Sequence, residues 1–116
     1  MTTLNDGLNR IRDLVNDDIY KFQAGTGTDA VTLDDTELET PDSNTLTTPS
    51  IQKADKALQI TSTINAVTGE GSAYSEMEIQ MNSGTDKLSR VVNTPVTKAA
   101  NEEYNYINNY FFKGTE

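Results

Sequence analysis

The sequence predicts a mainly β chain: an antiparallel β-sandwich with one N-terminal amphipathic helix and a long loop. Apolar and polar residues alternate in several segments, most plainly Leu58–Ala66 and Ala73–Met81, which is the period of strands with one buried face. Short Gly-containing stretches separate these segments at the spacing of strand turns. A single segment near the N-terminus carries the three- and four-residue spacing of a helix instead. One domain is expected over residues 1–116, with the helix at 3–17 and the sandwich at 18–116 around a loop at 26–50.

From Thr3 to Asp17, Leu4, Leu8, Ile11 and Leu14 or Val15 make one apolar stripe, and Arg10, Arg12 and Asp13 lie off it. Thr3, Asn5 and Asp6 are the capping candidates. Asp17-Asp18 opposes the helix dipole and marks the expected stop. Two roles stay open for this helix: it covers one end of a sheet, or it docks on another subunit. Next, Tyr20, Phe22 and Ala24 alternate with Lys21 and Gln23 as a strand that Gly25 and Gly27 end, by positive φ or close backbone approach. Thr26 to Pro49 is rich in Thr, Asp and Glu, with Val31, Leu33, Leu38 and Leu46 as its apolar anchors. It reads as a long ordered loop holding at most a short edge strand. Loops of this length serve as binding surfaces or are disordered.

Leu58, Ile60, Ser62, Ile64 and Ala66 share one face of the next strand. After the turn Thr68–Ser72, Ala73, Ser75, Met77, Ile79 and Met81 are set against Tyr74, Glu76, Glu78 and Gln80. Asn82–Asp86 turns into a strand over Lys87–Val92, which Pro95 is expected to interrupt at an edge or bulge. The last segment, Glu102–Phe112, aligns Tyr104, Tyr106, Asn108, Tyr110 and Phe112 on one face. That aromatic face fills the core, forms a subunit interface or binds sugar; the flanking Asn105, Asn108 and Asn109 favour a surface that meets a partner.

The apolar fraction of 34% is below the roughly 45–50% of globular chains, a reference that also counts Gly. Such a chain forms a thin two-layer domain or draws part of its burial from neighbours. A net charge of −9 repels phosphate backbones and argues against nucleic-acid binding. No apolar run approaches the roughly 20 residues of a membrane span, and the first residues, Met1-Thr-Thr-Leu-Asn-Asp6, lack the basic and apolar regions of a signal peptide. Membrane insertion is therefore not expected. The chain has no Cys, His or Trp. This excludes disulfides, Ser-His-Asp and Cys-His catalysis, and leaves zinc only all-carboxylate sites.

Gly25-Thr-Gly-Thr28 is not a phosphate loop, because no Lys follows and no helix opens after it; Gly69-Glu-Gly71 fails in the same way. Asp29, Asp34, Asp35, Glu37, Glu39 and Asp42 make an acidic loop without EF-hand spacing, read as solvated rather than cation-binding. Glu76/Glu78 and Glu102/Glu103 are weighed as glycosidase pairs, but so small a chain offers little cleft. No catalytic residue, cofactor or metal site is predicted, and the chain is expected not to be an enzyme.

Several landmarks recur in one order: Ile11-Arg-Asp-Leu14, Gly25-Thr-Gly-Thr28, Asp35-Thr-Glu-Leu38, Ser75-Glu-Met-Glu-Ile79, Asn82-Ser-Gly84, Leu88-Ser-Arg90, Lys98 and Glu102-Glu103. In this order the chain resembles small β-sandwich structural proteins in the virions of tailed bacterial or archaeal viruses. It departs from them at Glu78, where they usually carry Gly. The resemblance implies a non-enzymatic subunit of a tail, baseplate or capsid surface, assembled in the host cytoplasm. Its implied partners are copies of itself and other virion proteins. Leu4, Leu8, Ile11, Leu33, Leu38, Tyr104, Tyr106 and Tyr110 are the expected interface residues. A host-attachment or glycan-recognition sandwich is the alternative.

Overall fold

The computed structural model describes residues 4–32 and 35–113. Helix α1 spans Asn5–Asp18. The strands are β1 (Ile19–Gly25), β2 (Pro41–Thr47), β3 (Ser50–Ala54), β4 (Ala57–Ile64), β5 (Ala73–Met81), β6 (Asp86–Thr97) and β7 (Tyr104–Phe111). They form two antiparallel sheets, ordered β2-β1-β5-β6 and β3-β4-β7. The chain is thus a mainly β sandwich with one N-terminal helix.

The core lies where the sheets face each other. Phe22 and Ala24 of β1 and Tyr74, Met77 and Ile79 of β5 meet Ile60 and Ile64 of β4, all fully buried. Tyr104, Tyr106 and Tyr110 of β7 close it from the second sheet, half-buried, with the Phe22 and Tyr106 ring centroids 5.2 Å apart. Each fully buried large apolar side chain contributes roughly 1.5–3 kcal/mol by leaving water. In β4 the buried face is the predicted one, Leu58, Ile60, Ser62 and Ile64. Asn108 of β7 faces inward, and Asn105 and Asn109 face out. The interior is not wholly apolar: Ser62 Oγ and Asn108 Nδ2 are buried without a partner among the described residues.

Several boundaries differ from those predicted. The helix N-cap is Leu4, with no side-chain cap, and Asn5 and Asp6 lie inside the first turn; Thr3 is outside the described residues. The helix stops at Asp18 and β1 begins at the next residue. The predicted loop contains β2, an edge strand. Its Thr45 hydroxyl takes the place of a ladder carbonyl, accepting the Ala24 N–H at 2.8 Å where the β1–β2 register shifts. β3 follows almost at once in the other sheet; it is an exposed edge strand and carries little alternation. Pro95 falls, as expected, at an irregularity of an edge strand: the β5–β6 register shifts between Tyr74↔Val96 and Glu76↔Val92, and β6 resumes to Thr97. Because β6 is an edge strand, the missing proline N–H need not leave a ladder bond unmade. Tyr74, predicted to lie with Glu76 and Glu78, faces the core instead, because a register shift between Tyr74 and Glu76 turns it inward.

Tyr74 also explains one glycine. Its hydroxyl donates to Asp42 Oδ2 at 2.7 Å, and burial, reinforced by that carboxylate, pushes its pKa up to about 12. The ring lies directly over Gly69, which has φ +75°, so a Cβ there would overlap the phenol oxygen. Gly71, at φ +83°, faces open space. Gly71→Ala is therefore expected to cost about 1–2 kcal/mol for left-handed strain alone. Gly69→Ala is expected to cost about 1–3 kcal/mol more, because the ring must move as well. Urea denaturation of the two variants checks the difference; equal losses would contradict the packing of Tyr74 on Gly69.

Candidate functional site

β5 is the most enclosed strand. Tyr74 to Gln80 are all buried, although Glu76, Glu78 and Gln80 point away from the core. Lateral pairing with β1 and β6 explains part of this. The rest comes from the segment between β1 and β2, which folds back over the outer face of the first sheet and buries Leu38.

Glu76 holds that segment down. Its carboxylate is fully buried and accepts three backbone N–H groups: Gly27 at 2.9 Å and Thr40 at 2.8 Å on Oε2, and Glu39 at 3.0 Å on Oε1. Arg90 of β6 adds Nε at 3.2 Å and Nη2 at 3.0 Å to Oε1. The glycines of Gly25-Thr-Gly-Thr28 permit this approach. A Cβ on Gly27 would lie 2.6 Å from Glu76 Oε2, and one on Gly25 would collide with the Thr40 carbonyl and the same carboxylate. Close approach, rather than positive φ, is their role. The Ser75 hydroxyl donates to the Gly27 carbonyl beside them.

Burial opposes ionisation of Glu76. The N–H groups of Thr40, Glu39 and Gly27, with Arg90, outweigh it and hold the carboxyl below the usual carboxylate range. Burial likewise opposes the Arg90 charge, and Glu76 with Asp35 overcomes it, holding the guanidinium more firmly protonated. Each guanidinium nitrogen of Arg90 donates at least once: Nη1 donates to Asp35 Oδ2 at 2.9 Å and Nη2 also reaches the Asp29 carbonyl at 3.1 Å. The Thr32 backbone and hydroxyl hydrogen bonds, then Arg90, hold Asp35 low in turn.

Glu78, two residues along on the same face, has a different environment. It is paired in register with Arg90 across the ladder, yet Arg90 reaches diagonally to Glu76. Gln80 Nε2 donates to Glu78 Oε2 at 2.7 Å, and Oε1 has no partner among the described residues. Burial pushes this carboxyl up, against smaller opposing effects of Gln80, Lys87 and the Leu38 amide, with Glu37 adding to the rise. A cavity of about 250 Å³ opens beside it, lined in part by Val31, Thr32, Glu37, Lys87 and Leu88.

The expected interface residues divide. Leu8 and Leu38 are buried in this chain's own fold, and Leu4 and Ile11 are exposed on α1. Tyr104, Tyr106 and Tyr110 are half-buried against the core, and Leu33 lies outside the described residues. Of the acidic-loop residues, Asp35 pairs with Arg90, Glu39 accepts the Asp29 N–H at 3.1 Å and Asp42 accepts Tyr74; Asp34 is outside the described residues. Among the described residues no three carboxylates are grouped as metal ligands, and no helix is long and apolar enough to cross a membrane. Sequence reasoning did not find the Glu76–Arg90 pair. The available signal was two charges, Glu76 and Arg90, within apolar strands on either side of one Gly turn.

Opposite responses are expected from the two glutamates. Glu76→Gln should lose about 3 kcal/mol at neutral pH, since it leaves Arg90 buried beside a neutral amide. Glu78→Gln should gain about 1 kcal/mol by removing a poorly solvated charge. The lowered Glu76 carboxyl gives stability that is complete above the usual value of 4.5 and is lost as pH falls through the lowered one. The raised Glu78 carboxyl acts in reverse, costing nothing below 4.5 and increasingly more as pH rises through its raised value. Urea denaturation of wild type and both variants across this range checks the signs; like signs at neutral pH would refute the assignment.

Comparison of the chain with protein-family models, with curated proteins and with solved structures finds no match.

Proposed function

We propose that this chain is a non-enzymatic structural subunit of a tailed-virus virion, assembling through repeated protein–protein contacts in a tail, baseplate or capsid surface. The virion setting rests on the resemblance of its ordered landmarks. The observation that carries the contact role is the unburied half of the helix stripe. Helix α1 is tied to the tip of the β3–β4 hairpin by polar groups: Arg12 Nη1 to the Ala54 carbonyl at 2.6 Å, Asn9 Oδ1 from the Lys56 N–H at 2.7 Å, and Lys53 to Asp13 at 3.4 Å. These contacts turn Leu8 inward and leave Leu4, Ile11 and Leu14 exposed by 72%, 46% and 52%. Ile11, Leu14 and Val15 then form, with Met81, a shallow groove of about 390 Å³.

A second copy of the chain is the occupant that a repeating assembly supplies. Ile107 and Phe111, exposed on the outer face of edge strand β7, offer a second apolar contact. The buried charges support a structural role too, since Glu76 and Arg90 are occupied in holding the chain's own backbone.

The glycan-recognition reading has one observation in its favour. Tyr104 and Tyr106 line a groove of about 330 Å³ with Asn93, Glu103 and Asn105, an aromatic floor edged by amides. Saturable binding of host-surface sugars there, lost in Tyr104→Ala, would favour it.

The assembly reading is tested by light scattering on the full chain and by immunolabelling of purified particles. Wild type is expected to self-associate, and Ile11→Asp with Leu14→Asp to yield a monomer with unchanged circular dichroism. A wild-type chain that stays monomeric at all concentrations and is missing from particles would end the proposal.

A further inference from the structure

The cavity beside Glu78 has a pattern of donors and acceptors that its own walls do not complete. Glu78 is 2% exposed, and its Oε1 is buried without a partner among the described residues. Two cations line the same cavity, and among the described residues neither hydrogen-bonds Glu78. Arg90 places Nε, Nη1 and Nη2 on Glu76, Asp35 and the Asp29 carbonyl, and Lys87 Nζ donates to the Gly84 carbonyl at 2.6 Å and acts on Glu78 only as a nearby charge. What remains is a buried carboxylate oxygen, a second carboxylate from Glu37 at the rim, and apolar walls from Val31 and Leu88. A buried charge is costly unless it is paired, so this arrangement favours a cationic donor.

The geometry also selects the kind of cation. Guanidinium binds carboxylate best through two parallel hydrogen bonds, and here Gln80 already holds Oε2. A single open oxygen suits the compact charge of an ammonium. A divalent metal needs more oxygens than are grouped among the described residues. We propose that this cavity binds an aliphatic primary ammonium group, its N–H donating to Glu78 Oε1 and its chain lying between Val31 and Leu88. A free alkylamine and a lysine side chain of another protein share this chemistry. Burial holds the Glu78 carboxyl above its ordinary range, so binding an ammonium stabilises its ionised form.

The test is a titration of the isotope-labelled full chain followed by amide NMR. Its three probes are n-propylammonium chloride, Nα-acetyl-lysine methylamide and tetramethylammonium chloride, the last matching charge but lacking N–H donors. Saturable shifts at Val31, Leu88 and Ser89 are expected with propylammonium and not with tetramethylammonium. Binding should weaken by about tenfold in Glu78→Gln, the effect of losing one charge-assisted hydrogen bond. Val31→Lys, which tethers an ammonium at the cavity mouth, should block propylammonium with the rest of the spectrum unchanged. Equal saturation by the lysine derivative assigns the site to a protein side chain; saturation by propylammonium alone assigns it to a free amine. Either supports the proposal. Shifts that never saturate, that are matched by tetramethylammonium, or that persist at full strength in a folded Glu78→Gln or Val31→Lys chain would overturn it.

Discussion

The outer half of this fold depends on one carboxylate. Glu76 sits in the middle of a sheet with no exposure to water, a position that by itself disfavours a charge. The charge is kept because five hydrogen bonds converge on it, three from backbone N–H groups and two from one guanidinium. Those backbone donors come from both ends of the long segment between β1 and β2. Glu76 therefore fixes where the segment leaves β1 and where it returns to β2. Leu38 is covered, Arg90 is oriented and β5 is enclosed on both faces as a result.

Glu76 and Glu78 show how environment sets the chemistry of identical side chains. They lie on the same strand, on the same face, two residues apart. The first meets amides that the loop brings to it, and the second meets a side-chain amide and a cavity. The ladder places Arg90 opposite Glu78, but the carboxylate that gathers the loop also gathers the guanidinium. Burial without matching donors is what separates Glu78 from its neighbour.

Where a strand buries one apolar face, its pattern was readable. Leu58, Ile60 and Ile64 define β4, and the tyrosines of β7 fall on its inward side. The helix was readable for the same reason, but its orientation was not, because Arg12 and Asn9 rather than the apolar stripe determine how it docks. β3 escaped because only Ile51 of this exposed edge strand packs on the core, which is too little to generate alternation. β2 was at most hinted at, since Thr45 anchors it through a hydroxyl instead of an apolar side chain. The Glu76 site was hidden by distance along the chain: its backbone donors lie 36 to 49 residues away, and nothing local shows that Gly27 and Thr40 will meet it. The Gly-Thr-Gly-Thr stretch was visible as a turn, with close approach as one of its two possible uses. The partner that requires that approach became visible only in the fold.

The direct passage from Asp18 of the helix to Ile19 of β1 has a mechanical consequence. No linker lies between them, and the hairpin tip holds the other flank of the helix. A load applied to the exposed Ile11 and Leu14 side chains therefore meets no intervening loop before β1 and its neighbour β5.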